Sequence, residues 1–322
     1  MIRFPDTLGY TQKMTPIINL SRDDNFPLWM KRDDLTGIEL SGNKIRKLDF
    51  LVKQALNENA QTIMTCGGLQ SNHCRATAFL GSKVGLDTIL YLRGTEDKHP
   101  TGNYFLNILS GAQLNYVTNE EYKHIDEIMN QAAERYNKDG KRVYIIPEGG
   151  SNALGAWGYC QCFFELVDQL KTQKLPVEAV AVATGSGGTH AGLLIGKYLK
   201  QSGLDIFSIN VCDNADFFKH KIMTIIKNFE KEYNYDIDYS INDIKIYDGF
   251  VGEGYGKISI REIDFIKKFA RTYGIILDPV YTAKAFIGLE QLIKQKQLVY
   301  QNILFIHTGG IFGIFPHAGR FV

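Results

Sequence analysis

Short apolar runs alternate along most of the chain with segments whose apolar residues recur at helical spacing. The runs are four to six residues long, the length of strands buried on both faces of a sheet. The segments between them repeat apolar residues three and four positions apart, which predicts amphipathic helices. The predicted strands are 28–31, 62–65, 88–92, 114–117, 143–146, 179–183, 206–211 and 303–306. The predicted helices are 43–57, 103–109, 125–136, 153–169, 192–199, 260–273 and 283–292, with a further helix beginning near Asn72.

This alternation predicts an α/β fold with two open, mostly parallel sheets flanked by helices. Four closely spaced strand–helix units suggest a small α/β domain over residues 50–155, inserted into a larger domain built from 1–49 and 156–322. A cleft between the two sheets is the natural place for a ligand. The polar, tyrosine-rich stretch 227–248 shows no periodic pattern, and we interpret it as a surface excursion.

Composition narrows the classes of function. The chain has 322 residues, 44% of them apolar and 22% charged, which is ordinary for a soluble globular protein. Its net charge of +1 argues against nucleic acid or a membrane surface as a partner, because both require a basic surface. We find neither an apolar run of about 18 residues nor the apolar core of a signal peptide. We therefore expect a cytoplasmic protein.

The five cysteines do not predict a disulfide framework, because their number is odd and their spacing irregular. Cys160-Gln161-Cys162 has the composition of half a metal site, but no second Cys or His pair completes it. We therefore interpret Cys160 and Cys162 as buried residues of a helix, and we expect no metal.

The stretch Ser41-Gly42-Asn43-Lys44-Ile45-Arg46-Lys47-Leu48 places three cations at the predicted start of a helix. Ser41 is a candidate cap for that start. The positive end of the helix dipole disfavours an ammonium, which lowers the pKa of Lys44 toward the neutral amine that attacks carbonyls. Arg46 and Lys47 add to the same field and could pair with a phosphate. The alternative is a solvated basic turn.

A glycine-rich turn, 184–189, joins a predicted strand to a predicted helix. Glycines let backbone N–H groups face an anion, and the helix start adds its dipole. His190 breaks the dinucleotide pattern G-x-G-x-x-G, Thr184 breaks G-x-S-x-G, and no Gly-Lys-Ser/Thr follows. The turn is therefore predicted to hold one small phosphate, and the alternative is a tight turn without a ligand.

Two further turns, 65–73 and 147–152, bring hydroxyl and amide side chains to helix starts, where capping is the default explanation. The run Gln70-Ser71-Asn72 supplies more polar groups than a cap requires, which favours a ligand. Late in the chain, Tyr281 precedes the predicted helix 283–292, and His307 follows the predicted strand 303–306. From the residues alone, each is equally well explained as a core residue or as part of a site.

Taken together, these motifs resemble the pyridoxal-phosphate enzymes of the tryptophan-synthase-β-like fold. Ser-Gly-Asn-Lys-x-Arg-Lys-Leu followed by Gly-Gly-x-Gln-Ser-Asn-His is most similar to the branch that contains D-cysteine desulfhydrase and 1-aminocyclopropane-1-carboxylate (ACC) deaminase. The likeness extends from Lys31 to Gly310. It implies pyridoxal 5′-phosphate as cofactor, a small amino acid as substrate and a homodimer.

The resemblance also implies roles for individual residues. Lys44 would bond covalently to the cofactor and act as the catalytic base, Lys47 would contact the phosphate, and Asn72 would hydrogen-bond the 3′ oxygen of the pyridine ring. The substrate would be surrounded by Ser71, Tyr255 and Tyr281, the last being an alternative base. The phosphate would lie in the loop formed by Gly185, Ser186, Gly187, Gly188 and Thr189.

Two positions bear on the reaction. ACC deaminase-like chains carry Glu and Leu where this chain has Thr282 and Thr308. A glutamate beside the ring nitrogen would keep it protonated and make the ring a stronger electron sink, which opening a cyclopropane requires. Threonine favours β-elimination of a thiolate, so the expected reaction converts D-cysteine to pyruvate, ammonia and hydrogen sulfide. The alternatives are ACC deamination, elimination from another β-substituted amino acid such as cysteate, and a non-catalytic sensor on the same scaffold.

Overall fold

The computed structural model describes residues 2–21 and 26–322. Within these residues the strands are β1 (Ile17–Asn19), β2 (Leu28–Lys31), β3 (Thr62–Gly68), β4 (Asp87–Arg93), β5 (Gln113–Val117), β6 (Val143–Ile145), β7 (Ala179–Thr184), β8 (Asp205–Asn210), β9 (Lys245–Tyr247) and β10 (Ile303–Ile306). The α-helices are α1 (Asn43–Asn57), α2 (Asn72–Val84), α3 (Gly102–Leu109), α4 (Asn119–Tyr122), α5 (Ile125–Lys138), α6 (Ala153–Gln173), α7 (Gly188–Lys200), α8 (Ala215–Tyr233), α9 (Ile260–Tyr273) and α10 (Thr282–Lys294).

The strands form two sheets. The larger has the order β1-β2-β10-β7-β8-β9 and is parallel except for β1, which pairs antiparallel with β2. The smaller has the order β5-β4-β3-β6 and is parallel throughout. Two mostly parallel sheets flanked by helices confirm the predicted fold class. Where the domains divide, at residues 50 and 155, stays a prediction.

The larger sheet is buried on both faces, as its continuous apolar strands predict. On one face, Val180, Leu304 and Ile306 pack against α6, α7 and α8. On the other, Ala181 and Phe305 pack against α9 and α10. All eight predicted strands are present, with ends shifted by a few residues. The additional strands β1 and β9 have three residues each and lie at the edges of the sheet.

The stretch 227–248 is not a surface excursion, which corrects the prediction. Its first residues belong to α8, and Phe229 is fully buried. The Trp157 ring packs against Phe229, Tyr233 and Tyr235, with centroid distances of 4.7, 5.3 and 6.3 Å. The tyrosines of this stretch therefore help to cover the core, and the stretch ends by adding β9 to the sheet.

A buried ionic network joins α1, β2 and α6. The Arg46 Nε lies 2.8 Å from Asp33 Oδ2, and its Nη1 lies 3.0 Å from Glu165 Oε2. Lys31 Nζ lies 2.7 Å from Glu165 Oε1. Burial opposes ionisation of Asp33, but the charges of Arg46 and Lys31 outweigh it and hold the pKa of Asp33 well below its usual range. Arg46 is thus committed to carboxylates, and the expectation that it could pair with a phosphate is wrong.

In the described part of the chain, no helix combines the length and hydropathy that a membrane crossing needs. The expected homodimer and cytoplasmic location stay predictions. Cys160 and Cys162 are fully buried on α6, as predicted.

The Asp33→Asn variant is expected to lose about 3–5 kcal/mol of stability, because it leaves Arg46 buried with half of its compensating charge. Chemical denaturation followed by circular dichroism would measure the loss. Glu120→Gln is the matched control, since Glu120 pairs with Lys123 at the surface, where the two side chains are 80% and 65% exposed. Equal transition midpoints for the two variants would contradict a structural role for the network.

Candidate active site

A cavity of about 680 Å³ opens where strands of both sheets end. Its wall includes Gly67 and Arg93 from the carboxyl ends of β3 and β4, and Thr184 from the end of β7. The starts of α1 and α2 also face it. Ligands of open parallel sheets bind at this end of the strands, so the cavity is the candidate active site.

The start of α1 depends on a close backbone approach. Gly42 precedes the helix with φ of +99°, and a Cβ there would lie 2.7 Å from the Thr308 carbonyl oxygen. The same oxygen accepts a hydrogen bond from Asn43 N at 3.0 Å. Ser41 is not the cap that was predicted, because its buried hydroxyl makes no hydrogen bond within the described residues. Glycine is required at position 42 by both conformation and space.

Lys44 lines the cavity, one residue into α1. Burial of its ammonium lowers its pKa to about 8, an effect that Glu148 opposes and Lys221 increases. The sequence predicted the lowered pKa, but it attributed the shift to the helix dipole, whereas the main cause is enclosure by protein. A fraction of this amine is neutral near neutral pH, as a nucleophile requires.

Lys47 is fully buried beneath the glycine-rich turn. Its Nζ donates hydrogen bonds to the Gly149 carbonyl oxygen at 3.1 Å and to Ser151 Oγ at 3.3 Å. A Cβ on Gly188 would lie 2.9 Å from this Nζ. Burial and the like charges of Lys44 and Lys221 hold the pKa of Lys47 well below its usual range. An anion at the turn would relieve that repulsion.

The glycine-rich turn lies between β7 and α7, with Gly187 at φ of +80°. Gly185, Ser186, Gly187 and Thr189 line the cavity, whereas Gly188 packs against Ser151 and Lys47 behind it. The Thr184 hydroxyl is buried in the same wall without a partner among the described residues. The Thr184 hydroxyl without a partner in the described part of the chain and the mutual repulsion of the lysine ammonium groups favour the phosphate interpretation over a turn without a ligand.

Ser71 and Asn72 enter the cavity at the start of α2. Ser71 Oγ accepts a hydrogen bond from Cys74 N at 3.2 Å, so it caps the helix as expected. Asn72 Oδ1 accepts from Asn103 Nδ2 at 2.9 Å. The two residues thus face the cavity while other groups fix their positions.

Tyr255 and Tyr281 also line the cavity, with their hydroxyl oxygens 2.6 Å apart. Although 37% of Tyr255 is accessible, its hydroxyl is enclosed, and this burial raises its pKa to about 12. Burial also holds the pKa of Tyr281 well above its usual range. Tyr281 therefore belongs to the cavity wall. His307 is a core residue, since its Nε2 lies 3.0 Å from the Ile276 carbonyl oxygen and its Nδ1 accepts from Gly309 N.

The two threonines with an expected role at the ring nitrogen lie in different places. Thr308 lines the cavity. Thr282 is fully buried behind the wall, where its Oγ1 accepts from Asp278 N at 2.8 Å and donates to Asp278 Oδ1 at 2.9 Å. Burial raises the pKa of Asp278 to about 6 despite these hydrogen bonds. Of the two threonines, only Thr308 lines the cavity.

Sequence reasoning missed several cavity residues. Glu148 accepts a hydrogen bond from the Tyr122 hydroxyl at 2.7 Å, and the Arg93 guanidinium lies 4.7 Å from the Tyr122 ring centroid. Glu148 stands beside a glycine pair in a turn already of interest, which was an available signal. Lys221 had no such signal in the sequence, because the helix that carries it, α8, was not predicted. No group of His, Cys, Asp or Glu in residues 2–21 and 26–322 could hold a metal ion.

The comparisons identify the class of protein. The family model described as pyridoxal-phosphate dependent enzyme matches residues 8–309, so the chain belongs to that family of enzymes. The chain is 44% identical to a Thermotoga maritima protein whose name assigns it provisionally as an ACC deaminase, over 96% of this chain and 98% of that one. It is 40% identical to the bifunctional D-cysteine desulfhydrase/ACC deaminase, mitochondrial, of Arabidopsis thaliana, over 91% and 74%.

A solved structure supports the same conclusion. The crystal structure of an ACC deaminase homologue covers 99% of this chain and 96% of its own, with 35% identity and a TM-score of 0.90. The predicted family, fold and cofactor are therefore confirmed. The turn 185–189 and Lys47 fit the phosphate of pyridoxal phosphate, and Lys44 fits its aldehyde. The individual roles of the cavity residues stay predictions.

The charges around Lys44 lead to a prediction about its pKa. Glu148→Gln is expected to lower the pKa of Lys44, and Lys221→Met to raise it, each by roughly half to one pH unit. Competitive acetylation of the cofactor-free chain across pH 6–10, read at the Lys44 peptide by mass spectrometry, would measure both. Lys219→Met is the control, since Lys219 lies on α8 outside the cavity wall. Shifts of the same sign in both variants would contradict the electrostatic account.

Proposed function

We propose that the protein catalyses β-elimination from a cysteine-like amino acid, with D-cysteine giving pyruvate, ammonia and hydrogen sulfide. The observation that supports this choice is that Thr308 lines the cavity, whereas the buried carboxylate of Asp278 is hydrogen-bonded to Thr282. A hydroxyl can hydrogen-bond a neutral ring nitrogen but cannot stabilise a pyridinium charge. Elimination of a thiolate requires less electron withdrawal by the ring than opening a cyclopropane does.

When bound, pyridoxal phosphate supplies an aldehyde that captures the substrate amine and a ring that withdraws electrons from Cα. The protein contributes the anchoring groups. Lys47, the Ser186 and Thr189 hydroxyls and the amides of the glycine turn would hold the phosphate, and Asn72 would donate a hydrogen bond to the ring oxygen. The fixed phosphate end would direct the aldehyde toward Lys44.

Lys44 is the better supported base. With a pKa of about 8, a fraction of its amine is neutral near neutral pH and can remove the proton from Cα. The raised pKa values of Tyr255 and Tyr281 keep both phenols protonated, which suits them to donate hydrogen bonds or a proton. If Tyr281 acted as base instead, the substrate would present the opposite face of Cα, so the choice between the two groups sets the chirality.

Ser71 would hold the substrate carboxylate. Its oxygen accepts a hydrogen bond from Cys74 N, and its hydroxyl hydrogen would be donated to the substrate. A fixed carboxylate would set which bond of Cα lies perpendicular to the ring, and this bond is the one that breaks.

ACC deamination is the second candidate, because the relatives carry both names. The two reactions differ in product: ACC gives 2-oxobutyrate and ammonia without sulfide. Incubation of the holoenzyme with D-cysteine, L-cysteine and ACC in parallel, with pyruvate, 2-oxobutyrate and sulfide measured separately, would distinguish them. We expect sulfide and pyruvate from D-cysteine. Turnover of ACC alone would overturn the proposal.

Lys44→Ala is expected to abolish sulfide release and the absorbance near 410–420 nm that a lysine-bound cofactor gives, because the variant lacks the amine. Borohydride reduction of the wild-type holoenzyme should label Lys44, as read by peptide mass spectrometry, and the Lys219→Met variant should behave as wild type. Normal turnover without Lys44 would refute its assignment.

Thr308→Leu is expected to lower desulfhydration roughly tenfold, the loss for one hydrogen bond to the ring. Thr308→Ser is the matched control and should retain activity, since it keeps the hydroxyl. Unchanged desulfhydration in the Thr308→Leu variant would show that the Thr308 hydroxyl makes no hydrogen bond to the ring that matters for the reaction.

A further inference from the structure

A chain of buried side chains leads from α2 to the cavity amide of Asn72. It begins at Arg75, which is fully buried. Arg75 donates hydrogen bonds to the carbonyl oxygens of Glu39 and Ser41, the latter at 2.9 Å, and through Nε to Asn103 Oδ1 at 3.0 Å. The guanidinium is therefore fixed on three sides.

The orientation of the Asn103 amide follows from that contact. A guanidinium only donates hydrogen bonds, so Asn103 must present its oxygen to Arg75. Its amino group then points the other way, where it donates to the Gln70 carbonyl oxygen at 3.0 Å and to Asn72 Oδ1 at 2.9 Å. Asn103 is fully buried on α3, and its own N–H donates to Gln70 Oε1 at 2.9 Å. The amide has no alternative orientation that satisfies these groups.

Asn103 in turn fixes Asn72. Because the oxygen of Asn72 accepts from Asn103, its amino group is the end that remains for a ligand in the cavity. If Asn103 did not donate, the Asn72 amide could rotate and present its oxygen instead. The Asn72 oxygen would repel an anionic oxygen of the ligand. It also could not donate the hydrogen bond that the amino group donates.

We propose that Asn103 is a positioning residue, which orients the Asn72 amide so that it donates a hydrogen bond to the 3′ oxygen of the cofactor ring. The inference rests on the proposed role of Asn72. Arg75 and Asn103 do not line the cavity. Together they would decide whether Asn72 presents its amino group or its oxygen to the cofactor.

The test compares two ligands that differ by the oxygen in question. Dissociation constants of pyridoxal 5′-phosphate and 3-deoxypyridoxal 5′-phosphate would be measured by fluorescence titration of the full-length chain freed of cofactor. Asn103→Asp keeps the acceptor for Arg75 and removes both donated hydrogen bonds. We expect this variant to raise the dissociation constant of pyridoxal phosphate roughly tenfold, the effect of one hydrogen bond. The dissociation constant of the deoxy analogue should change by no more than about twofold.

Asn107→Asp is the matched control. Asn107 lies on the same helix, is equally buried, and its side chain makes no hydrogen bond within the described residues. The preference for pyridoxal phosphate over the analogue should stay as in wild type. Should Asn103→Asp fail to fold, Asn103→Ala serves instead, with a smaller loss of preference expected because the Asn72 amide is then free rather than reversed.

Two outcomes would overturn the inference and can be told apart. Equal weakening of both ligands by Asn103→Asp would show a merely structural role, even if Asn72→Ala removes the preference. An unchanged preference in Asn72→Ala would show that Asn72 does not contact the ring oxygen, and the basis of the inference would fail with it. Loss of the preference in both variants, with Asn107→Asp unaffected, supports the positioning role.

Discussion

The position of the cavity lysines depends on the ion pairs that Arg46 makes on another face of the same helix. Two cations, Lys31 and Arg46, meet two carboxylates, Asp33 and Glu165, in a region closed to solvent. Separating such charges inside a protein costs several kcal/mol. The four groups therefore keep β2, α1 and α6 in one arrangement, and Lys44 takes its place in the cavity as a consequence.

The cavity, in contrast to the paired charges of the network, has an excess of positive charge. Lys44, Lys47 and Lys221 repel one another, and Glu148 is the acidic group that counteracts burial at Lys44. Such a site is unfavourable when empty of anions and favourable when it holds a phosphate. The buried network and the cavity thus divide the cations of α1 between two tasks. Arg46 is neutralised by carboxylates and holds the helix, whereas Lys44 and Lys47 repel each other and can bind an anion.

Local patterns carried most of the correct predictions. The strands, the helix at Lys44, the glycine turn and the Ser71–Asn72 helix start are each specified within about ten consecutive residues, so spacing and residue type were sufficient. The network was not predictable in this way, because Arg46 meets Glu165 across 119 positions. Helix α8 was overlooked although its buried apolar residues recur at helical spacing, because residues 227–233 of the helix were grouped with the polar residues that follow. Thr282 was placed by the resemblance, which contains no information on the competing hydrogen bond to Asp278.

The contact between Gly42 and Thr308 joins the two walls of the cavity across 266 positions of the chain. Gly42 precedes Thr308 by 266 positions, so it leaves the ribosome well before Thr308 does. A nascent polypeptide therefore carries Lys44 long before it can enclose it. Because burial in the folded protein is the main cause of the lowered Lys44 pKa, the larger neutral fraction of this amine depends on the completed cavity.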